Sequence, residues 1–161
     1  MKGKGNDGKG NIPEKDEWET LKWLFEVLDK QYKFNFDCCA NEHNAKTEDY
    51  CDSFLDVPTD IINNKVCWMN PPFSKATEMF KHFFKVIERG VAIYRCDNME
   101  TRIWQQIIFP NTSWIFIPNK RIAYEGMEGN TSRFPSALIG LNVEPPRELK
   151  GVILKPLKFH N

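Results

Sequence analysis

The stretch with the clearest chemistry is Asn70-Pro71-Pro72-Phe73, which directly follows an apolar run at 65–69. Prolines cannot donate to a sheet and hold φ near about −65°, so a strand predicted for this run ends in a rigid turn. Open α/β sheets bind ligands at the carboxyl ends of their strands. The turn offers a side-chain amide oxygen, prolyl carbonyl oxygens and an aromatic face, which suit gripping an exocyclic amine on a flat ring.

A plainer interpretation of the same residues is that the two prolines only break a loop and that Phe73 belongs to the core. It is less favoured because a strand precedes the turn and a helix capped by Ser74 is predicted to follow.

A second predicted strand, 32–37, ends in Asp37 and is followed by the small residues Cys38, Cys39 and Ala40. Small side chains at this point let a ligand lie close to the backbone. The segment is not a Gly-x-Gly-x-x-Gly loop, so a dinucleotide cofactor is poorly supported. The next segment is rich in acids, namely Asp49, Asp52, Asp56 and Asp60. Such acids could hold a ribose through its hydroxyls, although for any single one a solvated loop position is favoured.

The remaining pattern alternates helices and strands. Asp16 and Glu19 have capping-box spacing before a helix with Leu24, Phe25 and Leu28 on one face. Trp18 and Thr20 lie at the start of this helix and either face a pocket or pack against the core. A helix over 76–87 with Gly90 as its closing residue, followed by a strand at 91–94, predicts a parallel crossover. A helix at 103–108 and strands at 113–118, 121–124, 136–143 and 152–154 complete the expected order.

Composition describes an ordinary globular chain: 161 residues with 41% hydrophobic and 27% charged. We expect a flexible tail at 1–12, one domain at 13–161, and a cytoplasmic protein without membrane association, because no apolar run approaches ~20 residues. The five cysteines are expected to be reduced. Cys38, Cys39, His43 and Cys51 match no zinc spacing, so no metal is expected. Net charge is zero, which neither supports nor excludes a nucleic-acid partner.

Taken together, these residues resemble the phage-type DNA adenine-N6 methyltransferase family, which is Dam-like. The matching pieces run in the family's order from 16 to about 143: Asp16-Glu17-Trp18-x-Thr20, Phe36-Asp37-x-x-Ala40, Asn44-Ala45-Lys46 with Tyr50, Val66-x-Trp68-x-Asn70-Pro71-Pro72-Phe73-Ser74, Thr101-Arg102-x-Trp104, Arg121-Ile122-x-Tyr124 and Ser132 to Ser136. The chain departs from the family at Leu21, where proline is usual, at Phe73, where tyrosine is commoner, and at Cys38-Cys39.

The resemblance implies a minimal, single-domain, Rossmann-like α/β methyltransferase fold with a mixed sheet and S-adenosylmethionine as cofactor. It implies that Asn70, Pro71, Pro72 and Phe73 are catalytic, on an adenine flipped out of double-stranded DNA. It further implies that Trp18, Thr20, Asp37, Cys38, Asp56 and Asn70 bind the cofactor. A phage or prophage origin in a bacterial host follows from the same resemblance.

DNA contacts are expected from basic residues at loop and helix-start positions: Lys75, Arg95, Arg102, Lys120, Arg121 and Arg133. A homodimer remains open. Asn-Pro-Pro-aromatic turns also serve methyltransferases of protein glutamine, RNA guanine and, less often, cytosine N4. A catalytically degenerate DNA-binding or interaction module on the same fold is the non-enzyme alternative.

Overall fold

A six-stranded mixed sheet forms the centre of the computed structural model. The structure describes residues 22–122 and 134–154 and, for the backbone alone, 19–20 and 124–125. The strands are β2 (Phe36–Asp37), β3 (Val66–Met69), β4 (Arg89–Arg95), β5 (Trp114–Pro118), β7 (Ser136–Leu141) and β8 (Gly151–Leu154), in the spatial order β2-β3-β4-β7-β5-β8. A separate antiparallel pair joins β1 (Glu19–Thr20) to β6 (Tyr124–Glu125). The expected α/β class and mixed sheet are confirmed.

The parallel half of the sheet positions the site. β2, β3 and β4 run parallel, so their carboxyl ends meet at one edge. β7 is antiparallel to both β4 and β5, which makes β5 parallel to β4. The carboxyl end of β5 and the amino end of β7 therefore lie at that same edge.

Helices cover both faces of the sheet, because successive side chains of a strand point to opposite faces. On one face α1 (Lys22–Tyr32) buries Leu24, Phe25 and Leu28 in a cluster that includes Trp68 of β3. On the other face lie α3 (Ala76–Val86) and a π-helical segment (Ile103–Ile108) that continues into α4 (Phe109–Asn111). The short α2 (Thr59–Ile62) precedes β3.

The first helix starts later than the sequence predicts. Residues 19–20 are extended and pair with 124–125, so α1 begins only at Lys22. At its other end Tyr32 was expected to open a strand but is the last helical residue, buried with its hydroxyl donating to the Glu144 carbonyl (2.6 Å). The chain then turns at Lys33, whose φ is 55°.

Two helix boundaries predicted around the second crossover were wrong. Ser74 does not cap α3, because a 3₁₀ turn (Phe73–Lys75) precedes the helix. Gly90 does not close it either, since α3 ends at Val86 and Gly90 lies inside β4, opposite Cys67. A Cβ at Gly90 would lie 2.7 Å from the Cys67 carbonyl oxygen. Glycine is therefore required because the two strands approach each other closely at this position. No helix in the described part of the chain is long and apolar enough to cross a membrane.

Candidate active site

Three polar residues lie at the shared edge of the parallel strands: Asp37 ends β2, Asn70 follows β3 and Arg95 ends β4. Asp37 is paired with Trp68 in the sheet register, two residues before Asn70. The parallel pairing of the three strands places these strand ends side by side.

A cavity of about 430 Å³ opens between the first two of these strand ends. Among the residues predicted for the site, Asp37, Asp56, Asn70, Pro72 and Lys75 line it. Lys75, expected to contact DNA, thus lies in this cavity. The site prediction did not name Asn41, Asn44, Lys46, Ser53 and Leu55, which also line it. Asn44 and Lys46 belong to the quoted Asn-Ala-Lys piece, which was the available signal for them.

Asp37 is buried to 2% exposure and organises the loop that forms the cavity wall. Its Oδ1 accepts the backbone N–H of Cys39 (3.2 Å) and its Oδ2 accepts that of Lys46 (3.0 Å). Burial raises the pKa of this carboxyl above its usual range, and the two backbone N–H donors partly oppose that rise. Each oxygen retains a further lone pair, so the carboxylate can still accept from a ligand.

Two asparagine side chains stabilise the loop after Asp37 by accepting hydrogen bonds from its backbone. Asn41 Oδ1 accepts the backbone N–H of His43 (2.8 Å), and Asn44 Oδ1 accepts that of Asn41 (2.8 Å). Such local bonds are why asparagine favours turns. They bring the side chains of a polar, irregular segment to one wall of the cavity.

The turn at 70–73 is rigid for local reasons. Pro71 is buried, and Pro72 has φ −63° and ψ 140°, an extended conformation that its ring favours. Phe73 then opens the 3₁₀ turn, in which the backbone N–H of Lys75 donates to the Pro72 carbonyl (3.1 Å). The turn thus presents Asn70 and Phe73 from a backbone with little freedom.

Phe73 belongs to an aromatic cluster and is not among the residues that line the cavity. Its ring centroid lies 5.3 Å from that of Phe134 and 6.4 Å from that of Tyr94, both in edge contacts. The Arg95 Cζ lies over both phenylalanine rings, 4.5 Å from the Phe134 centroid and 5.7 Å from the Phe73 centroid. The backbone N–H of Cys96 donates to the Pro135 carbonyl (2.9 Å), which holds the end of β4 beside Phe134. Phe134 is a contributor that the site prediction missed.

Arg95 is also paired with an acid. Its Nε and Nη2 donate to the two oxygens of Asp97 at 2.8 and 2.7 Å. This contact with Arg95 lowers the pKa of Asp97, and the more distant charge of Arg121 adds to the effect. The guanidinium therefore contacts an acid and two aromatic rings. Its DNA contact stays a prediction.

The other predicted site residues lie in different surroundings. Cys38 is fully buried in the core, and burial raises the pKa of its thiol far above the usual value; its neighbour Cys39 lines the cavity instead. Arg102 is exposed at the start of the π-helical segment. Lys120 and Arg121 line a second, smaller cavity. Trp18, Arg133 and the side chain of Thr20 lie outside the described residues. In the described part of the chain no group of three His, Cys, Asp or Glu side chains could hold a metal ion.

A mixed α/β sheet with an Asn-Pro-Pro-aromatic turn beside a cavity lined by aspartates is consistent with a methyltransferase fold. Residues 8–136 match the family model described as DNA N-6-adenine-methyltransferase (Dam). The chain belongs to this family, which confirms the resemblance seen in the sequence.

A curated relative carries the same description. The DNA N-6-adenine-methyltransferase of Haemophilus phage HP1 (strain HP1c1) is 36% identical over 63 residues. The matched segment covers 38% of this chain and 36% of the phage protein. The similarity to this relative thus extends over about a third of each protein.

Proposed function

We propose that this chain transfers a methyl group from S-adenosylmethionine to N6 of an adenine in double-stranded DNA, on a Rossmann-like methyltransferase fold. The observation that carries the proposal is the Asn70-Pro71-Pro72-Phe73 turn, whose Asn70 and Pro72 line a cavity of about 430 Å³ in a chain of the adenine methyltransferase family. Membership of the family supports adenine as the target base. The turn supports methyl transfer to an exocyclic amine.

The residues of the cavity fit the methyl donor. Its volume is within the roughly 300–1,000 Å³ of small-molecule sites. S-adenosylmethionine carries two cationic groups, an ammonium and a sulfonium, and the cavity presents Asp37, Asp52 and Asp56 against Lys46 and Lys75. Asp37 would hold the ammonium and Asp56 the ribose hydroxyls. The excess of carboxylates suits a ligand with two cationic centres.

The target amine would be held by the turn at 70–73. The Asn70 side-chain oxygen and the Pro71 carbonyl oxygen would accept its two hydrogens, which pulls the nitrogen lone pair out of conjugation with the ring. The prolines keep both acceptors in place before the base arrives, so little reorganisation is needed. The adenine must leave the duplex to reach them.

Phe73 would stack on the flipped base. Its contacts with Phe134, Tyr94 and Arg95 restrict its ring, so stacking costs little further ordering.

S-adenosylmethionine, when bound, supplies an electrophilic methyl group on its sulfonium. The chain's part is to aim the amine lone pair and to keep its two hydrogens engaged. The extra proton can leave after the transfer, so no residue has to act as a strong base. Orientation and placed acceptors are the main catalytic effects.

Transfer of labelled methyl from S-adenosylmethionine to unmethylated duplex DNA, followed by nucleoside analysis, tests the proposal. We expect N6-methyladenine, and we expect Asn70→Ala to lower kcat by about ten- to a hundredfold, since one acceptor of a group gaining positive charge is lost. Donor affinity should change much less. Asn63→Ala, an exposed asparagine after α2 and outside the cavity, is the matched control.

Other outcomes would contradict specific parts of the proposal. Donor binding without DNA methylation would move the substrate to RNA or protein amides. Methylcytosine in place of methyladenine would contradict the target base. Loss of both donor binding and methylation in the wild-type chain would leave a non-catalytic binding module.

A further inference from the structure

A second cavity, of about 140 Å³, lies at the carboxyl end of β5 and is lined by three basic residues. Lys120 and Arg121 follow β5 and Lys150 precedes β8. The backbone N–H of Asn119 donates to the Lys150 carbonyl (3.0 Å), which ties the two connections together. No Asp or Glu is among the described residues that line it. This clustering of like charge favours an anionic ligand.

An exposed aromatic side chain borders the same cavity. Trp23 lies on α1 with half of its surface exposed, while its neighbour Leu24 is fully buried. Leu24 and Ile122 add an apolar wall beside the cations. Cations next to an exposed aromatic ring are the usual combination at nucleic-acid surfaces, where phosphates meet the charges and sugars or bases pack on the ring.

This cavity lies at the same edge of the sheet as the candidate active site. β5 runs parallel to β4, so the residues that follow Pro118 and those that follow Arg95 lie at one edge. The positive charge of Arg121 acts to lower the pKa of Asp97 and of Cys96, the two residues that follow Arg95. The basic cavity is therefore a neighbour of the aromatic cluster around Phe73.

We propose that Trp23, Lys120, Arg121 and Lys150 form a binding cleft for the sugar–phosphate backbone of DNA beside the flipped adenine. This inference rests on the proposed function and names the surface that would hold its substrate. Lys120 and Lys150 contact phosphates, and Trp23 packs against the adjoining sugar. The cavity is smaller than a typical small-molecule pocket, which suits a phosphate group at the surface more than an enclosed nucleotide.

The proposal separates the basic residues by role. Lys120 and Arg121 remain DNA contacts, Lys150 and Trp23 join them, Lys75 belongs to the donor cavity, and Arg95 positions aromatic rings. Among these residues, Lys120, Arg121 and Lys150 should contribute to the salt dependence of DNA affinity, because counterion release counts phosphate contacts.

The test is fluorescence anisotropy with a labelled duplex of about 20 base pairs at several salt concentrations. We expect the Lys120→Ala/Lys150→Ala double variant to bind several-fold more weakly and to reduce the salt slope by about two. Trp23→Ala should weaken binding by about fivefold or more without changing the slope. Trp23→Phe should restore part of the loss.

The matched control is Lys81→Ala/Lys85→Ala, which removes the same charge from exposed positions of α3. α3 packs on the opposite face of the sheet from α1, so this variant should keep the wild-type slope. Donor binding should be unchanged in all four variants, which shows that each is folded. Sedimentation of the same samples shows whether the cleft joins two copies of the chain.

Wild-type affinity and slope in the Lys120/Lys150 variant, with methylation of DNA intact in the parent, would overturn this inference and leave the proposed function standing. Absence of both DNA binding and N6-methyladenine in the wild type would overturn both. A change in self-association in place of DNA binding, or a preference for RNA of the same sequence, would also overturn it.

Discussion

The Arg95 guanidinium lies 4.5 Å from the centre of the Phe134 ring, although the two residues are far apart in sequence. Arg95 ends β4, and Phe134 lies just before β7, the strand that pairs antiparallel with β4. Arg95 also makes two hydrogen bonds to Asp97 and extends over Phe73. A flat guanidinium can do all of this at once, because it combines a planar face with an edge of N–H donors. We interpret Arg95 as the residue that keeps Phe73 oriented.

Arg95→Lys should therefore be damaging although it conserves charge. An ammonium can neither lie flat on Phe134 nor make the two-bond contact with Asp97. We expect kcat for DNA methylation to fall by about tenfold, with an unchanged salt slope of DNA binding. Arg102→Lys, at an exposed position, is the control. Wild-type kcat in Arg95→Lys would show that Phe73 is held by its other contacts alone.

Donor binding should depend on the ionisation of Asp37. Because burial raises its folded-state pKa above that of the unfolded chain, its contribution to stability is fully present below about pH 3.9 and is lost as the pH rises through the folded pKa. The buried negative charge that remains above this pKa is what the donor ammonium offsets. Affinity for S-adenosylmethionine should thus decline as the pH falls through the raised pKa.

Titration calorimetry from neutral pH downward checks this dependence. 5′-Methylthioadenosine lacks the ammonium, so its affinity should change little over the same range. Asp37→Asn should weaken S-adenosylmethionine binding and remove the pH dependence, while Asp60→Asn, exposed and outside the cavity, should do neither. Equal pH dependence for the two ligands would exclude Asp37 as the ammonium contact.

Gly140 should tolerate no side chain. A Cβ there would lie 2.0 Å from the ring of Trp114, which is buried and donates to the Val143 carbonyl. Gly140→Ala should lower the free energy of unfolding by about 1–3 kcal/mol, measured by urea denaturation. In a double-mutant cycle with Trp114→Phe, the penalty should shrink because part of the ring is gone. Strict additivity would show that the strain arises elsewhere.

Lys33 is a position where a substitution should raise the free energy of unfolding. Its φ of 55° is the left-handed conformation, which glycine adopts without a Cβ penalty. Lys33→Gly should raise the free energy of unfolding by about 0.5–1 kcal/mol after the greater freedom of the unfolded chain is counted. Lys30→Gly, inside α1, should lower it by about 1 kcal/mol. Equal destabilisation by both would indicate that the Lys33 side chain contributes contacts of its own.

The amino-acid sequence by itself determined which functional groups the turn at 70–73 carries and the family to which the chain belongs. Two consecutive prolines restrict their own backbone in any fold. The amide of Asn70 and the ring of Phe73 likewise follow from residue type alone. The position of Asp37 at a strand end and the apolar faces of α1 and α3 were also predictable, because they follow local periodicity. The burial of Asp37 was not predicted.

Only the tertiary structure decided which distant residues join that turn. The sequence predicted that Gly90 closes a helix. In the structure Gly90 lies in a strand, where the backbone of the neighbouring strand leaves no room for a Cβ. Phe134 entered the site, and Lys120 and Lys150 came together, through antiparallel pairings of β7 with β4 and β8 with β5. Such pairings depend on long-range register and packing, which local propensity does not encode.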